Sequence, residues 1–332
     1  MDLTDHHLDL VFRKRTKSYE PPVPLIPIAD THAHLMSFRG KDPAWVIARA
    51  ALAGVGQMTT IWDPVADACT WFEYHERLGG WIEEARGLLE SRAASGAPES
   101  DDSHGPLSLL DGIGYLSGVH PYGAYDYNDE VHAQVVGALD DPLCSGVGEI
   151  GLDYHLDADY DYESAPHELQ IEVMERQLAV AIERDLPVEL HIRNDNGDDR
   201  RLAHRDALRS LERIGVPAAG CVLHCFGEDR ATMERFVEMG CLIAFGGAAT
   251  FKRNDGVREA FAACPLDQLI FETDCPYMAP EPLRGVECEP AMITWTVDAL
   301  LRDRAERTGE DPIDIARAAW CTSTRLFGGG VR

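Results

Sequence analysis

The chain has 332 residues, 45% of them hydrophobic, and a formal net charge of −27. That length and apolar content suffice to bury a large core in one domain. No apolar run is long enough to cross a bilayer or form the core of a secretion signal, so a cytoplasmic protein without membrane association is expected. The acidic balance repels polyanions at long range, and nine scattered cysteines without CxxC spacing argue against both a disulfide framework and a cysteine zinc site.

Residues 1–25 are polar and end in a proline-rich stretch, which reads as an N-terminal arm. From residue 26 to 328, short apolar runs alternate with helical patterns. The first run, 28–34, leads to a helix that opens with Asp42 as N-cap and Pro43 in its first turn and closes at Gly54. Further strands are predicted near 56–62, 114–120, 145–149, 187–191, 220–224, 241–245 and 268–274. The second connection is enlarged, and residues 91–106, rich in Ser, Gly, Pro and acids, read as a flexible insertion tip. Helices near 289–307 and 311–327 finish the chain. Such a succession predicts an α/β fold: one (β/α)8 TIM-type barrel with two extra C-terminal helices and its site at the C-terminal ends of the strands. An open doubly wound sheet would place a ligand between two strands only.

Six residues stand at or just beyond the ends of these runs: His32, His34, Glu149, His191, His224 and Asp274. Residues i and i+2 of a strand face the same way, so His32 and His34 can ligate one ion together. A single strand-end His or Asp is ordinarily a hydrogen-bonded packing residue. Six at one end of one barrel make a divalent-metal site the better reading. Cys225 and Cys275 flank these positions and read as small buried residues rather than nucleophiles.

In order, the segments DTHAHL (30–35), GVHP (118–121), GEIGLDY (148–154), HIRN (191–194), VLHCF (222–226) and ETDCPYMAP (272–280) resemble the motif series of the TatD-like metal-dependent hydrolases, a branch of the amidohydrolase superfamily. The resemblance implies two divalent ions, one held by His32, His34, Asp274 and Glu149, the other by Glu149, His191 and His224. It leaves their identity open among Zn, Mn, Ni, Fe and Mg, although imidazole ligands suit the first four better than Mg. Glu149 would bridge the ions, and Asp274 would orient the attacking water and accept its proton. Asp30 and Asp153 would hold ligands in position, and His120 would contact substrate or leaving group. His155 has no matching role and is expected at the surface.

Arg193, Lys252, Arg253 and Arg284 match basic positions of the family and are candidate phosphate contacts. Against them stands an acidic loop carrying Asp157, Asp159, Asp161 and Glu163, which would repel a long strand. After Arg284 the chain departs from the family, reading GVECEP at 285–290 where many members place an asparagine before a proline-containing turn. The expected activity is that of a deoxyribonuclease-type phosphodiesterase, acting on DNA ends or short oligonucleotides. The alternatives are a hydrolase of small-molecule esters or amides, an aminoacyl-tRNA deacylase among them, or a metal-binding scaffold; no obligate protein partner is inferred.

Overall fold

Consecutive apolar residues with no alternation mark strands covered on both faces. Ile28–Ala33 is buried along its whole length, and Val55–Trp62 nearly so. The computed structural model describes residues 8–95, 105–155 and 164–328. In it a hairpin, β1 (Phe12–Lys14) and β2 (Lys17–Tyr19), precedes strands β3 (Ile28–Ala33), β4 (Val55–Trp62), β5 (Ile113–Ser117), β6 (Cys144–Asp153), β7 (Val188–Arg193), β8 (Cys221–Leu223), β9 (Leu242–Phe245) and β10 (Leu269–Phe271). The eight later strands pair in sequence order, each parallel to its neighbours. Just past β10 the ring closes: a parallel bridge joins Ala33 to Cys275, and the Asp274 N–H donates to the His32 carbonyl at 3.0 Å.

Helices α1 (Pro43–Leu52), α2 (Trp71–Ala94), α3 (Asp129–Ala138), α4 (His167–Arg184), α5 (Leu202–Ile214), α6 (Arg230–Glu238) and α7 (Asp255–Ala263) alternate with the strands, and α8 (Ile293–Thr308) and α9 (Pro312–Phe327) complete the outer layer. Their starts follow local chemistry. Asp42 accepts from the Ala44 N–H with Pro43 behind it, Thr70 and Glu73 form a reciprocal capping box on α2, and Asp311 caps α9. Each such cap is worth about 1 kcal/mol.

One local expectation changes. Residues 91–94 are the last turn of α2 rather than part of a flexible tip, since Ser-Arg-Ala-Ala extends a helix as readily as it forms a linker; the middle of that predicted tip, 96–104, lies outside the described residues. The described part of the N-terminal arm is packed. Leu8 and Phe12 are buried, Phe12 meets Trp295 edge-on at 5.2 Å, and Lys14 Nζ donates to the Pro282 carbonyl at 2.8 Å. Below it, Arg49 stacks on Phe12 and pairs through Nε with Glu289 Oε2 at 2.7 Å, while Lys41 takes the other Glu289 oxygen at 2.7 Å. The atypical 285–290 segment therefore anchors the barrel's outer layer through Glu289.

Gly151 fixes how closely β6 and β7 approach. It pairs with His191, has φ +152°, and a Cβ there would lie 1.9 Å from the His191 carbonyl oxygen. Because this contact lies between Glu149 and Asp153 on one strand and at His191 on the other, Gly151→Ala should both destabilise the fold, by about 3 kcal/mol or more, and weaken metal retention. Urea unfolding of the metal-free protein together with metal analysis checks both effects.

Candidate metal centre

The strand ends deliver the predicted donors to one spot. His32 is inside β3 and His34 one residue past it; Glu149 lies within β6, which runs on to Asp153; His191 lies within β7; His224 follows β8 by one residue. Asp274 lies three residues beyond β10, in the left-handed region at φ 55°, a conformation that is strained for a non-glycine residue. It is held there by its N–H bond to His32 and by the His34 N–H donating to the Cys275 carbonyl at 2.8 Å. Asp30 fastens the same junction, accepting from the Thr273 N–H at 2.8 Å and hydroxyl at 2.7 Å, while burial pushes its carboxyl up to about 8.

Glu149 organises the cluster. Its Oε2 lies 3.6 Å from both His32 Nε2 and His34 Nε2, and Asp274 Oδ1 lies 3.9 and 3.6 Å from the same two nitrogens. Its Oε1 lies 2.7 Å from His191 Nδ1 and 3.0 Å from His224 Nε2. Each oxygen thus faces its own set of nitrogen donors. Within His32, His34 and Asp274, and within Glu149, His191 and His224, the ligand atoms are all within 4.8 Å of one another, a spacing compatible with ions about 2 Å from each donor.

The far nitrogens of three of these histidines meet carboxylates. His32 Nδ1 shares a short hydrogen bond with Glu189; His191 Nε2 is 3.2 Å from Asp153 Oδ2; His224 Nδ1 is 3.3 Å from Glu272 Oε1, close enough for an ion pair though poorly angled for a hydrogen bond. A proton held on the far nitrogen turns the other lone pair toward the centre. Glu189 and Glu272 were not singled out from sequence, yet a signal existed. Asp30, Glu189 and Glu272 each stand two residues before a donor, in D-T-H, E-L-H and E-T-D; within β3 and β7 that spacing gives Asp30 and Glu189 the same face as the ligand, whereas Glu272 and Asp274 lie past the end of β10.

The electrostatics are those of a cluster that requires positive charge. Burial raises Glu189 well above the usual carboxylate range and raises Glu272, and the second oxygen of each is buried without a hydrogen-bond partner. Burial acts on Glu149 in the same direction, but the imidazoles of His224, His120 and His191 outweigh it and hold Glu149 well below its ordinary value. Against burial, Glu149 and Asp153 raise His191 to about 9, and Glu272 and Glu149 raise His224 well above its usual range. The carboxylates thus favour the charged form of these imidazoles. A divalent cation fits the same place, with nitrogen and oxygen donors already facing it.

The donors lie at the bottom of a cavity of about 860 Å³. Among the described lining residues Arg193 is the one lysine or arginine, set against Asp63, Asp67, Glu149, Asp153, Glu228 and Asp274. Arg193 Nη1 lies 3.8 Å from Asp153 Oδ2. Lys252, Arg253 and Arg284 are exposed and do not line this cavity; Arg284 lies over the Phe251 ring at 4.5 Å. His120 does line it, with Nε2 3.8 Å from Glu149 Oε1 and its ring edge-on to His191 at 4.3 Å; burial lowers it to about 3. His155 is buried rather than at the surface, its N–H donating to Asp153 Oδ1 at 2.9 Å. The acidic loop residues Asp157, Asp159, Asp161 and Glu163 lie outside the described residues. Asn194 and His204 also reach the wall, joined Nδ2 to Nδ1 at 2.8 Å.

Comparison with known proteins agrees with this geometry. The sequence pattern of the family "TatD related DNase" matches residues 29–328. A Mycobacterium tuberculosis protein named "Uncharacterized metal-dependent hydrolase TatD" is 28% identical over 306 residues, spanning 91% of this chain and 98% of its own. A "3'-5' ssDNA/RNA exonuclease TatD" of Citrobacter rodentium is 30% identical over 217 residues, 64% of this chain and 76% of that one. The crystal structure of YjjV, a TatD homologue from Escherichia coli K12, superposes with a TM-score of 0.67 at 25% identity, covering 91% of this chain and 98% of that one. Barrel, donor set and matched sequence agree, and the chain belongs to the TatD-related DNase family of metal-dependent hydrolases.

Proposed function

We propose that the chain is a two-metal phosphodiesterase that hydrolyses DNA ends or short oligonucleotides. The observation that carries the reading is the placing of the two Glu149 oxygens, one toward His32 and His34 and the other toward His191 and His224. His32, His34, Asp274 and Glu149 Oε2 would hold one ion, and Glu149 Oε1, His191 Nδ1 and His224 Nε2 the other. Zinc, manganese, nickel or iron suits so many imidazoles better than magnesium does. When bound, such ions lower the pKa of water toward neutrality and draw charge from the oxygen under attack.

The remaining steps belong to the protein. Asp274, a carboxylate at the cavity floor, aligns the attacking water and takes its proton. Arg193 holds a non-reacting phosphate oxygen, and His120 Nε2, on the Glu149 side of the floor, hydrogen-bonds the reacting group or the leaving oxygen. Lys252, Arg253 and Arg284 would act farther out, on chain that extends beyond the cavity. A second reading, hydrolysis of a small-molecule ester or amide or of an aminoacyl-tRNA linkage, is favoured by the scarcity of cationic groups in the wall.

Metal-reconstituted protein should carry about two divalent ions per chain, and Glu149→Gln should lower that number; protein that retains no metal contradicts the reading. Glu189→Gln preserves shape but loosens the hold on His32, so metal retention during dialysis should fall on the order of 10-fold while the barrel still folds. Asp274→Asn should reduce turnover by at least about 100-fold at every pH tested. A substrate panel of oligonucleotides, small phosphodiesters, esters and amides separates the two readings: faster cleavage of an ester or amide than of every phosphodiester would favour the second.

A further inference from the structure

The cavity wall mixes polar and apolar groups. Arg193, Asn194 and Glu228 stand at the exits of β7 and β8, and the exits of β10, β4 and β5 add the apolar side chains of Tyr277 and Met278, Val65 and Ala66, and Tyr122. Of these, Tyr122 is 37% exposed, Tyr277 50% and Met278 44%. Large hydrophobic side chains seldom stand so exposed in a polar cavity, and these three line the same cavity as the metal donors. The Tyr277 ring lies 5.8 Å from His34, inclined at 72°, and the Tyr122 ring 4.4 Å from His120, inclined at 76°. Each aromatic is thus seated against a histidine of the site while part of its ring remains in the open cavity.

The acids at the β4 exit are turned inward. Asp63 Oδ1 accepts from the Val65 and Ala66 N–H groups at 2.8 and 3.1 Å, and Oδ2 from the His120 N–H at 2.9 Å; Asp67 Oδ2 accepts from the Asp63 N–H at 3.0 Å. These bonds tie the exits of β4 and β5 together and shape the apolar lip. Gly123 lets the chain after Tyr122 press against it, since a Cβ there would lie 2.8 Å from Val119 and 3.3 Å from Val65.

We propose that Tyr122, Tyr277 and Met278 form a base-stacking subsite that receives the terminal nucleobases of a single strand whose phosphate lies at the metal donors. This rests on the phosphodiesterase reading and names what would make such a site select a nucleic-acid end. With Arg193 the one lysine or arginine among the described lining residues, side-chain ion pairing away from the metal donors supplies little affinity, and stacking, which accepts every base, supplies the rest. An unpaired end brings base faces to the lip, whereas a duplex keeps them stacked on one another.

The test compares metal-loaded wild-type protein on single-stranded oligonucleotides that differ only in whether the terminal nucleotides carry bases or are abasic. The expected result is a preference for the base-bearing end on the order of 10-fold in kcat/KM, with KM rising only shallowly with salt, at a log–log slope of about +0.7 as for the loss of a single phosphate contact. Tyr122→Leu and Tyr277→Leu should each diminish the preference, with the loss in KM rather than kcat, and Tyr→Trp at either position should retain it. Cleavage without regard to terminal bases would overturn the subsite while leaving the phosphodiesterase reading intact. If no oligonucleotide is cleaved while a small ester or amide is, that reading falls and the subsite with it. A preference that persists in both leucine variants overturns the assignment to these tyrosines.

Discussion

The two oxygens of a single buried glutamate set the terms for the rest of this active site. Glu149 meets one pair of imidazoles through Oε2 and another through Oε1, so the strands that carry them must hold register to within a fraction of an ångström. The barrel does this by closure. Asp30 and Thr273 fasten β3 to the segment beyond β10, Gly151 lets β6 lie against β7, and Asp274 is held in a backbone conformation that only those neighbours make tolerable.

The centre is costly without cations. Glu149, Glu189 and Glu272 are buried, and desolvation of a carboxylate is expensive unless charge or hydrogen bonds compensate it. The carboxylates in turn favour the charged form of His191 and His224, and burial favours the neutral form of Glu189. The cluster is therefore organised around positive charge that two divalent ions would supply while leaving the donor atoms in place.

Much of this arrangement was legible in the sequence, for identifiable reasons. Strands of a closed parallel barrel are buried on both faces, so their apolar runs stand out and a histidine or acid ending one is conspicuous; His34, Glu149, His191, His224 and Asp274 line the cavity, and His32 is buried beside them. Glu189 escaped notice because an acid inside a strand looks like an irregularity of pattern; its spacing of two from His191 within β7 shows otherwise, since it fixes a shared face. Glu272 lies just past β10, where no strand period applies, and only the fold brings it to His224. Substrate contacts were less legible. Arg193, the last residue of β7, reaches the cavity and Arg253, in the loop after β9, does not, because a long side chain leaving a loop takes a direction that no local periodicity encodes. Likewise, the tyrosines of GVHPY and ETDCPY gain meaning only when barrel closure brings their loops to one arc.

The central claim is that Glu149 serves two ions, one through each carboxylate oxygen. Anomalous diffraction from crystals of the metal-loaded protein tests it most directly. Two peaks flanking Glu149, one beside His32, His34 and Asp274 and the other beside His191 and His224, are the predicted result. A single peak held by one oxygen of Glu149, or ions bound elsewhere with the His191 and His224 nitrogens still paired to carboxylates, would contradict it.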